Sequence, residues 1–118
     1  MITEKEARNM LNSYKLFSLR ADLRYEKISF YKKYNAAGEY CEVLARQAKE
    51  HAKELLAARD NINAVVDSLA EPYRTVLYLR FIEGHTVEKT AEIMFYSYRW
   101  LMRLQATAIQ EFRKAVNK

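Results

Sequence analysis

Two arginines four residues apart, Arg99 and Arg103, are the side chains in this chain best suited to a specific chemistry. Residues at this spacing lie on one face of a helix, so the two guanidinium groups would project side by side. A guanidinium donates paired hydrogen bonds to phosphate oxygens or to the O6 and N7 atoms of guanine. From Ser97 to Lys118 there are five basic residues and one acid, about +4 by formal count. This local surplus favours an anionic partner.

Residues that could support catalysis or bind a metal are few and scattered. His51 falls at an inward position of a helical repeat and is interpreted as a core residue, whereas His85 is interpreted as a solvated loop residue. Cys41 is the single cysteine, which excludes an internal disulfide and fits a reducing cytoplasm. No metal-ligand spacing or phosphate-binding glycine loop occurs in the sequence. We therefore expect no enzyme activity, no cofactor and no metal site.

The helix that carries the two arginines is predicted to span residues 97–115, with Ser97 as its N-cap. One side has the spacing of a buried stripe, and its members are Leu101, Leu104, Ala108 and Phe112. The other side is predicted to enter the major groove of DNA. The candidate DNA-binding residues are Ser97, Tyr98, Arg99, Met102, Arg103, Ala106 and Gln110.

Two shorter helices are predicted to precede this one. Pro72 suits the first turn of a helix that Gly84 ends. Thr86 can cap the next helix, in which Ala91 is small enough for a close helix crossing. A break at Phe95-Tyr96 then separates this second helix from the one at 97–115. The last two helices have the spacing of a helix-turn-helix. Arg80 is expected to form an ion pair within this unit, with Glu83, Glu88 or Glu92.

The first half of the chain predicts two long helices. Thr3 and Glu6 form a capping box. A heptad seam follows it, with members Ala7, Leu11, Tyr14, Ser18, Ala21, Tyr25 and Ile28. A second apolar row, expected to pack against a further neighbour, consists of Leu16, Leu19, Leu23 and Phe30. The segment 25–34 alternates aromatic and basic residues, which is typical of a helix–helix seam but also suits stacking on single-stranded bases.

A loop at 35–38 is predicted to lead into a second helix that begins near Glu39. Its seam steps by three and four residues through Cys41, Leu44, Ala48, His51, Leu55, Ala58, Ile62, Val65 and Leu69. The unbroken repeat favours one continuous helix through Arg59–Asn61 over a separate short helix there. With two glycines and one proline, the chain is predicted to be all-α. An antiparallel hairpin (residues 1–69) would precede a three-helix unit (residues 70–118).

The second half also resembles a known family. The pattern Y-R-x-V-L-x-L-R-F-x-x-G-x-T, then Ala91, then S-x-R-x-L-x-R-L-x-x-x-A, is similar to region 4 of the sigma-70 transcription initiation factors. In particular it resembles the small sigma-like regulators of phages and prophages. The likeness spans Ile62 to Lys114. Two residues depart from it, because Phe95 replaces the usual turn glycine and Trp100 replaces a small residue. Phe95 is expected to alter the turn, and Trp100 to pack inward.

The resemblance implies binding to a promoter element in double-stranded DNA and contact with RNA polymerase. It implies a sigma-like regulator, since 118 residues leave no room for the promoter-opening region of a full sigma factor. The alternative is a protein-interaction module in which the hairpin forms a homodimer or docks on a partner and the helix-turn-helix serves as scaffold. The net charge of +5 is compatible with nucleic acid. No apolar run approaches the length of a membrane span, and no signal peptide opens the sequence, so we expect a cytoplasmic protein.

Overall fold

A computed structural model of the protein describes residues 1–33 and 39–118. Its α-helices are α1 (Glu4–Lys33), α2 (Glu39–Asp67), α3 (Tyr73–Leu77), α4 (Val87–Met94) and α5 (Tyr98–Val116), with a π-helical turn at Tyr78–Ile82 after α3. The described ranges contain no strand. The predicted all-α class is confirmed, with two long helices packed as a hairpin and a smaller helical unit after them. The predicted loop at 35–38 and the side chain of Cys41 lie outside the described residues.

The two long helices begin and continue as the sequence predicts. Thr3 caps α1, because its Oγ1 accepts a hydrogen bond from the backbone N–H of Glu6 at 3.2 Å. Glu4 and Glu6 lie in the first turn, where a negative charge interacts favourably with the helix dipole. The helix α2 passes without a break through Arg59–Asn61. The prediction of one continuous second helix is therefore confirmed.

The chain divides into two compact units, Leu16–Asp60 and Met1–Lys15 with Asn61–Lys118. In Leu16–Asp60 the two helices run antiparallel, since Arg59 near the end of this α2 segment donates from Nη1 to Ser18 Oγ of α1 at 3.4 Å. Among the described side chains of this unit, the buried apolar ones are Ala21, Ile28, Ala48, Ala52 and Leu55. Small residues dominate this list, as a close helix–helix approach requires.

The second unit has the larger hydrophobic core. Its largest fully buried apolar side chains are Leu11, Val66, Val76, Leu77, Leu101, Ile109 and Phe112. Asn117 joins the two ends of this unit, because its Oδ1 accepts from the backbone N–H of Ile2 at 2.8 Å and its Nδ2 donates to the Ile2 carbonyl at 3.2 Å. The first turns of α1 are therefore held against the end of α5.

The buried face of α2 differs from the predicted seam at four of the eight seam positions whose side chains the structure describes. Ala48, Leu55, Ile62 and Leu69, each seven residues apart, are buried as predicted. Their buried companions are Ala52 and Val66, four residues further on, whereas His51 is exposed and Val65 is half-buried. The assignment of His51 to the core is wrong. A heptad can pair each repeat position with the residue three or four further on, and packing against neighbouring helices decides between them.

The face of α1 is likewise only partly as predicted. Ala7, Leu11, Ala21 and Ile28 are buried, but Tyr25 is exposed. The side chains of the second apolar row are exposed: Leu16, Leu19, Leu23 and Phe30.

Gly84 ends the π-helical turn in a conformation that favours glycine. Its φ is +80°, and the following N–H, that of His85, donates to the Leu79 carbonyl at 2.9 Å. The Lys15 side chain occupies the space that a Cβ at this position would need. The predicted end of this helix at Gly84 is confirmed.

Candidate nucleic-acid interface

The first helix of the helix-turn-helix, α4, has the predicted cap. Thr86 Oγ1 accepts from the backbone N–H of Lys89 at 3.1 Å. The hydroxyl of buried Thr90 donates back to the Thr86 carbonyl at 2.8 Å, which satisfies this buried hydroxyl. Ala91 is buried, and α4 packs against α5. The predicted close helix crossing at Ala91 fits this packing.

In the turn between α4 and α5, Phe95 occupies a backbone position at which proteins usually have glycine. Phe95 adopts the left-handed conformation, with φ 59° and ψ 37°. Its N–H donates to the Glu92 carbonyl at 3.3 Å, and the N–H of Tyr96 donates to the Ala91 carbonyl at 2.9 Å. These two bonds are those of a Schellman motif. Phe95 therefore occupies a left-handed backbone position that favours glycine, at a backbone cost of about 1–2 kcal/mol.

Ser97 begins α5 as predicted. Its Oγ accepts from the backbone N–H of Trp100 at 3.2 Å, and the helix spans Tyr98–Val116, within one residue of the prediction. The predicted inner stripe is confirmed, since Leu101, Leu104, Ala108 and Phe112 are all buried. Ile109 and Gln105 are also buried; Ile109 continues the apolar face, but Gln105 was missed because a glutamine is read as a surface residue.

The structure brings the candidate DNA-binding residues together on the outer face of α5. Six of them are exposed: Ser97, Tyr98, Arg99, Met102, Arg103 and Ala106. Gln110, one turn further along, is half-buried. Within residues 1–33 and 39–118, neither the Arg99 nor the Arg103 guanidinium has a hydrogen-bond or ion-pair partner. Both groups can therefore reach an external anion without first breaking a contact in the protein.

Arg80 has a structural role, but its predicted partners are wrong. Its Nε donates to Gln105 Oε1 at 2.7 Å, and its Nη1 donates to the His85 carbonyl. Its guanidinium carbon also lies 5.4 Å from the centroid of the Phe81 ring. Neutral oxygens thus replace the expected carboxylates. The Arg80 side chain links the π-helical turn to the buried side of α5.

His85 is more constrained than the predicted solvated loop residue. Its Nε2 lies 3.0 Å from Glu83 Oε2, and the residue is half-buried. Its backbone carbonyl accepts from Arg80. These contacts hold the loop before α4 in place.

Exposed aromatic rings surround the start of α5. Phe95 is 95% exposed, and Tyr98 and Trp100 are about half exposed. The expectation that Trp100 packs inward is wrong, because α5 turns Leu101 and Leu104 toward the core instead. The rings and the free guanidiniums thus share one end of the same helix. This combination can stack on bases or pair with phosphates.

No helix in the described part of the chain is long and apolar enough to cross a membrane. Comparison of the chain with protein-family models, with curated proteins and with solved structures finds no match.

Proposed function

We propose that the protein is a DNA-binding transcription regulator of the sigma region 4-like type, with α5 as its recognition helix. The observation that carries the proposal is the outer face of α5, on which Arg99 and Arg103 have no partner among the described residues. A helix with one buried face and unpaired arginines near its N-terminus suits entry into the major groove.

Each part of the exposed face has a role on this proposal. Arg99 and Arg103 read guanines or hold phosphates, while Tyr98, Met102 and Ala106 contact base edges. The backbone N–H groups at the start of α5, capped by Ser97, hold a further phosphate. The caps, the Schellman motif and the Arg80–Gln105 hydrogen bond support the proposal by fixing α5 against the core. The sequence resemblance adds a promoter element as the site and RNA polymerase as the partner.

Selection from a pool of random duplex DNA tests the proposal. The purified full-length protein is incubated with the pool at two salt concentrations, roughly 50 and 200 mM, and bound DNA is sequenced. We expect enrichment of a short motif that the double variant Arg99→Ala/Arg103→Ala no longer enriches. A double variant that keeps the same motif and affinity would contradict the assignment of α5.

The matched control removes two positive charges from the other end of the same helical region. Lys114 pairs with Glu111 at 3.4 Å, and Lys118 is exposed. The variant Lys114→Ala/Lys118→Ala should retain the motif and lose only a uniform part of the affinity, since contacts to phosphates carry no sequence information.

A protein-interaction role is the second candidate, and Phe95 favours it. A ring that is 95% exposed at a strained backbone position gains nothing from packing within the described chain, and strain of this kind is often retained for function. On this reading Phe95, Tyr98 and Trp100 contact a protein partner. Binding to DNA that lacks any sequence preference and disappears at the higher salt concentration would favour this candidate over the first.

A further inference from the structure

The exposed leucines of α1 form a surface that the DNA-binding proposal does not use. Leu16, Leu19 and Leu23, here called the leucine row, are 42%, 57% and 49% exposed. Their spacing of three and four residues places them along one face of the helix. Three leucines in register on an exposed face resemble the anchor pattern of a helix that binds another helix. Scattered exposed leucines would need no explanation, but an aligned row does.

One border of this row is basic, whereas Asp22 and Glu26 lie along the other. Arg20 and Arg24 lie one residue after Leu19 and Leu23, and Lys27 lies one turn beyond Leu23. These three cations line a groove of about 520 Å³ together with Leu23 and Phe30 of α1 and His51 of α2, and the single carboxylate in the lining is that of Glu26. Neither Arg20, Arg24 nor Lys27 has an ion-pair partner within residues 1–33 and 39–118. The groove thus combines an apolar floor with an unneutralised positive rim.

We propose that the leucine row and this groove bind an acidic amphipathic helix of a protein partner. Leucines of the partner would cover the row, and carboxylates along the side of its apolar face that meets the basic border would pair with Arg20, Arg24 and Lys27. This surface lies in the unit Leu16–Asp60, whereas α5 belongs to the other unit.

Two other occupants fit the surface less well. A second copy of the chain would use the same patch on both subunits in a symmetric dimer. When the two helices run antiparallel, such a dimer brings the two basic borders together, which is unfavourable. Single-stranded nucleic acid would neutralise the rim and would find one ring in the lining, that of Phe30, but the three leucines offer neither a ring for base stacking nor a hydrogen-bond donor. The charge and the apolar row together favour an acidic helix.

Two synthetic peptides serve as probes. Each has about 20 residues, roughly 30 Å as a helix, with leucines at heptad positions. Glutamates flank the leucines in the acidic peptide, and lysines replace them in the basic one. Binding to the full-length protein is followed by fluorescence anisotropy at peptide concentrations where the peptides are monomeric. We expect the acidic peptide to bind about tenfold or more tightly than the basic one.

Variants separate the two components of the surface. Leu19→Gln/Leu23→Gln should weaken binding of the acidic peptide by about tenfold or more. Glutamine preserves the helix propensity at these exposed positions. Arg20→Glu/Arg24→Glu should reverse the preference between the two peptides. Val43→Gln, which alters an exposed aliphatic side chain on α2 of the same unit, is the matched control and should change neither affinity. Circular dichroism checks that every variant keeps its helix content.

Three results would overturn the proposal. The first is equal binding of the two peptides by the wild type, or no binding of the acidic one. The second is a wild-type dimer in sedimentation velocity that Leu19→Gln/Leu23→Gln converts to a monomer, which would assign the row to a second copy. The third is binding of labelled oligothymidine that Arg20→Glu/Arg24→Glu abolishes and Leu19→Gln/Leu23→Gln leaves intact, which would assign the surface to nucleic acid.

Discussion

The Arg80 Nε donates a 2.7 Å hydrogen bond to Oε1 of Gln105, a side chain that is 6% exposed. Arg80 belongs to the π-helical turn and Gln105 to the buried side of α5, 25 residues later in the chain. Since the same guanidinium also donates to the His85 carbonyl, it joins α5 to the loop that precedes α4. This bond lies on the buried side of α5, so it fixes the helix-turn-helix without involving the exposed face of α5.

A double-mutant cycle on Arg80→Ala and Gln105→Ala should give a coupling free energy of about 1–2 kcal/mol, because the bond is charge-assisted and partly desolvated. Urea unfolding of the four proteins measures it. The control cycle uses the exposed pair Arg8 and Glu4, 3.8 Å apart, which should couple by less than about 0.5 kcal/mol. A coupling at Arg80–Gln105 no larger than that of the control pair would contradict the structural role.

Phe95→Gly should raise the free energy of unfolding by about 0.5–1 kcal/mol. Glycine removes the left-handed strain at φ 59°, and its greater entropy in the unfolded chain offsets part of the gain. Phe95→Ala is the matched control, because alanine removes the exposed ring but keeps the strain. It should leave stability nearly unchanged. If Phe95→Gly is no more stable than Phe95→Ala in thermal or urea unfolding, the positive φ is not a source of strain.

Local signals in the sequence were sufficient to predict the helix ends around the candidate site. Thr86 and Ser97 act as N-caps and Gly84 as a helix end, because each effect depends on atoms within a few residues of the chain. The outer and inner faces of α5 were predictable from periodicity, because a helix of 19 residues repeats its apolar pattern often enough to define both faces.

Features that depend on distant contacts were not predictable. Ala52 is buried and His51 is exposed, yet both fit a heptad, and only the neighbouring helices select between them. The burial of Gln105 depends on Arg80, which lies 25 residues earlier. The π-helical turn at Tyr78–Ile82 has no simple sequence signature. Such turns are rare insertions in an otherwise α-helical pattern.

Glu71 should give a small pH dependence of stability in the acid range. Its carboxylate accepts hydrogen bonds from Thr75 Oγ1 and from Arg74 Nε, and these bonds hold its pKa below the ordinary value of 4.5. A lowered folded-state pKa stabilises the protein above the ordinary pKa, and this contribution disappears as the pH falls through the folded value. Because Glu71 is exposed, the effect on stability should be minor.

Nuclear magnetic resonance titration of the Glu71 carboxyl group measures this pKa directly. Thr75→Val removes the strongest of the hydrogen bonds that lower it, so the pKa of Glu71 should rise toward 4.5 in that variant. Thr107→Val is the matched control, since the Thr107 hydroxyl donates to the Arg103 carbonyl in α5. It should leave the titration of Glu71 unchanged. An equal shift in both variants would mean that the Thr75 hydroxyl is not the cause.

The salt dependence of DNA binding should separate base reading from phosphate contact on α5. For duplex DNA, the slope of log affinity against log salt changes by about 0.9 for each phosphate that a cation neutralises. We expect Arg99→Ala and Arg103→Ala each to reduce the free energy of binding to the selected site by about 1–3 kcal/mol, as for residues that contact bases. Binding to random duplex should weaken much less, and the salt slope should change little. Lys114→Ala should instead reduce the slope and weaken both DNAs equally. If the arginine variants behave as Lys114→Ala does, the two guanidiniums hold phosphates, and the sequence preference must come from Tyr98, Met102 or Ala106.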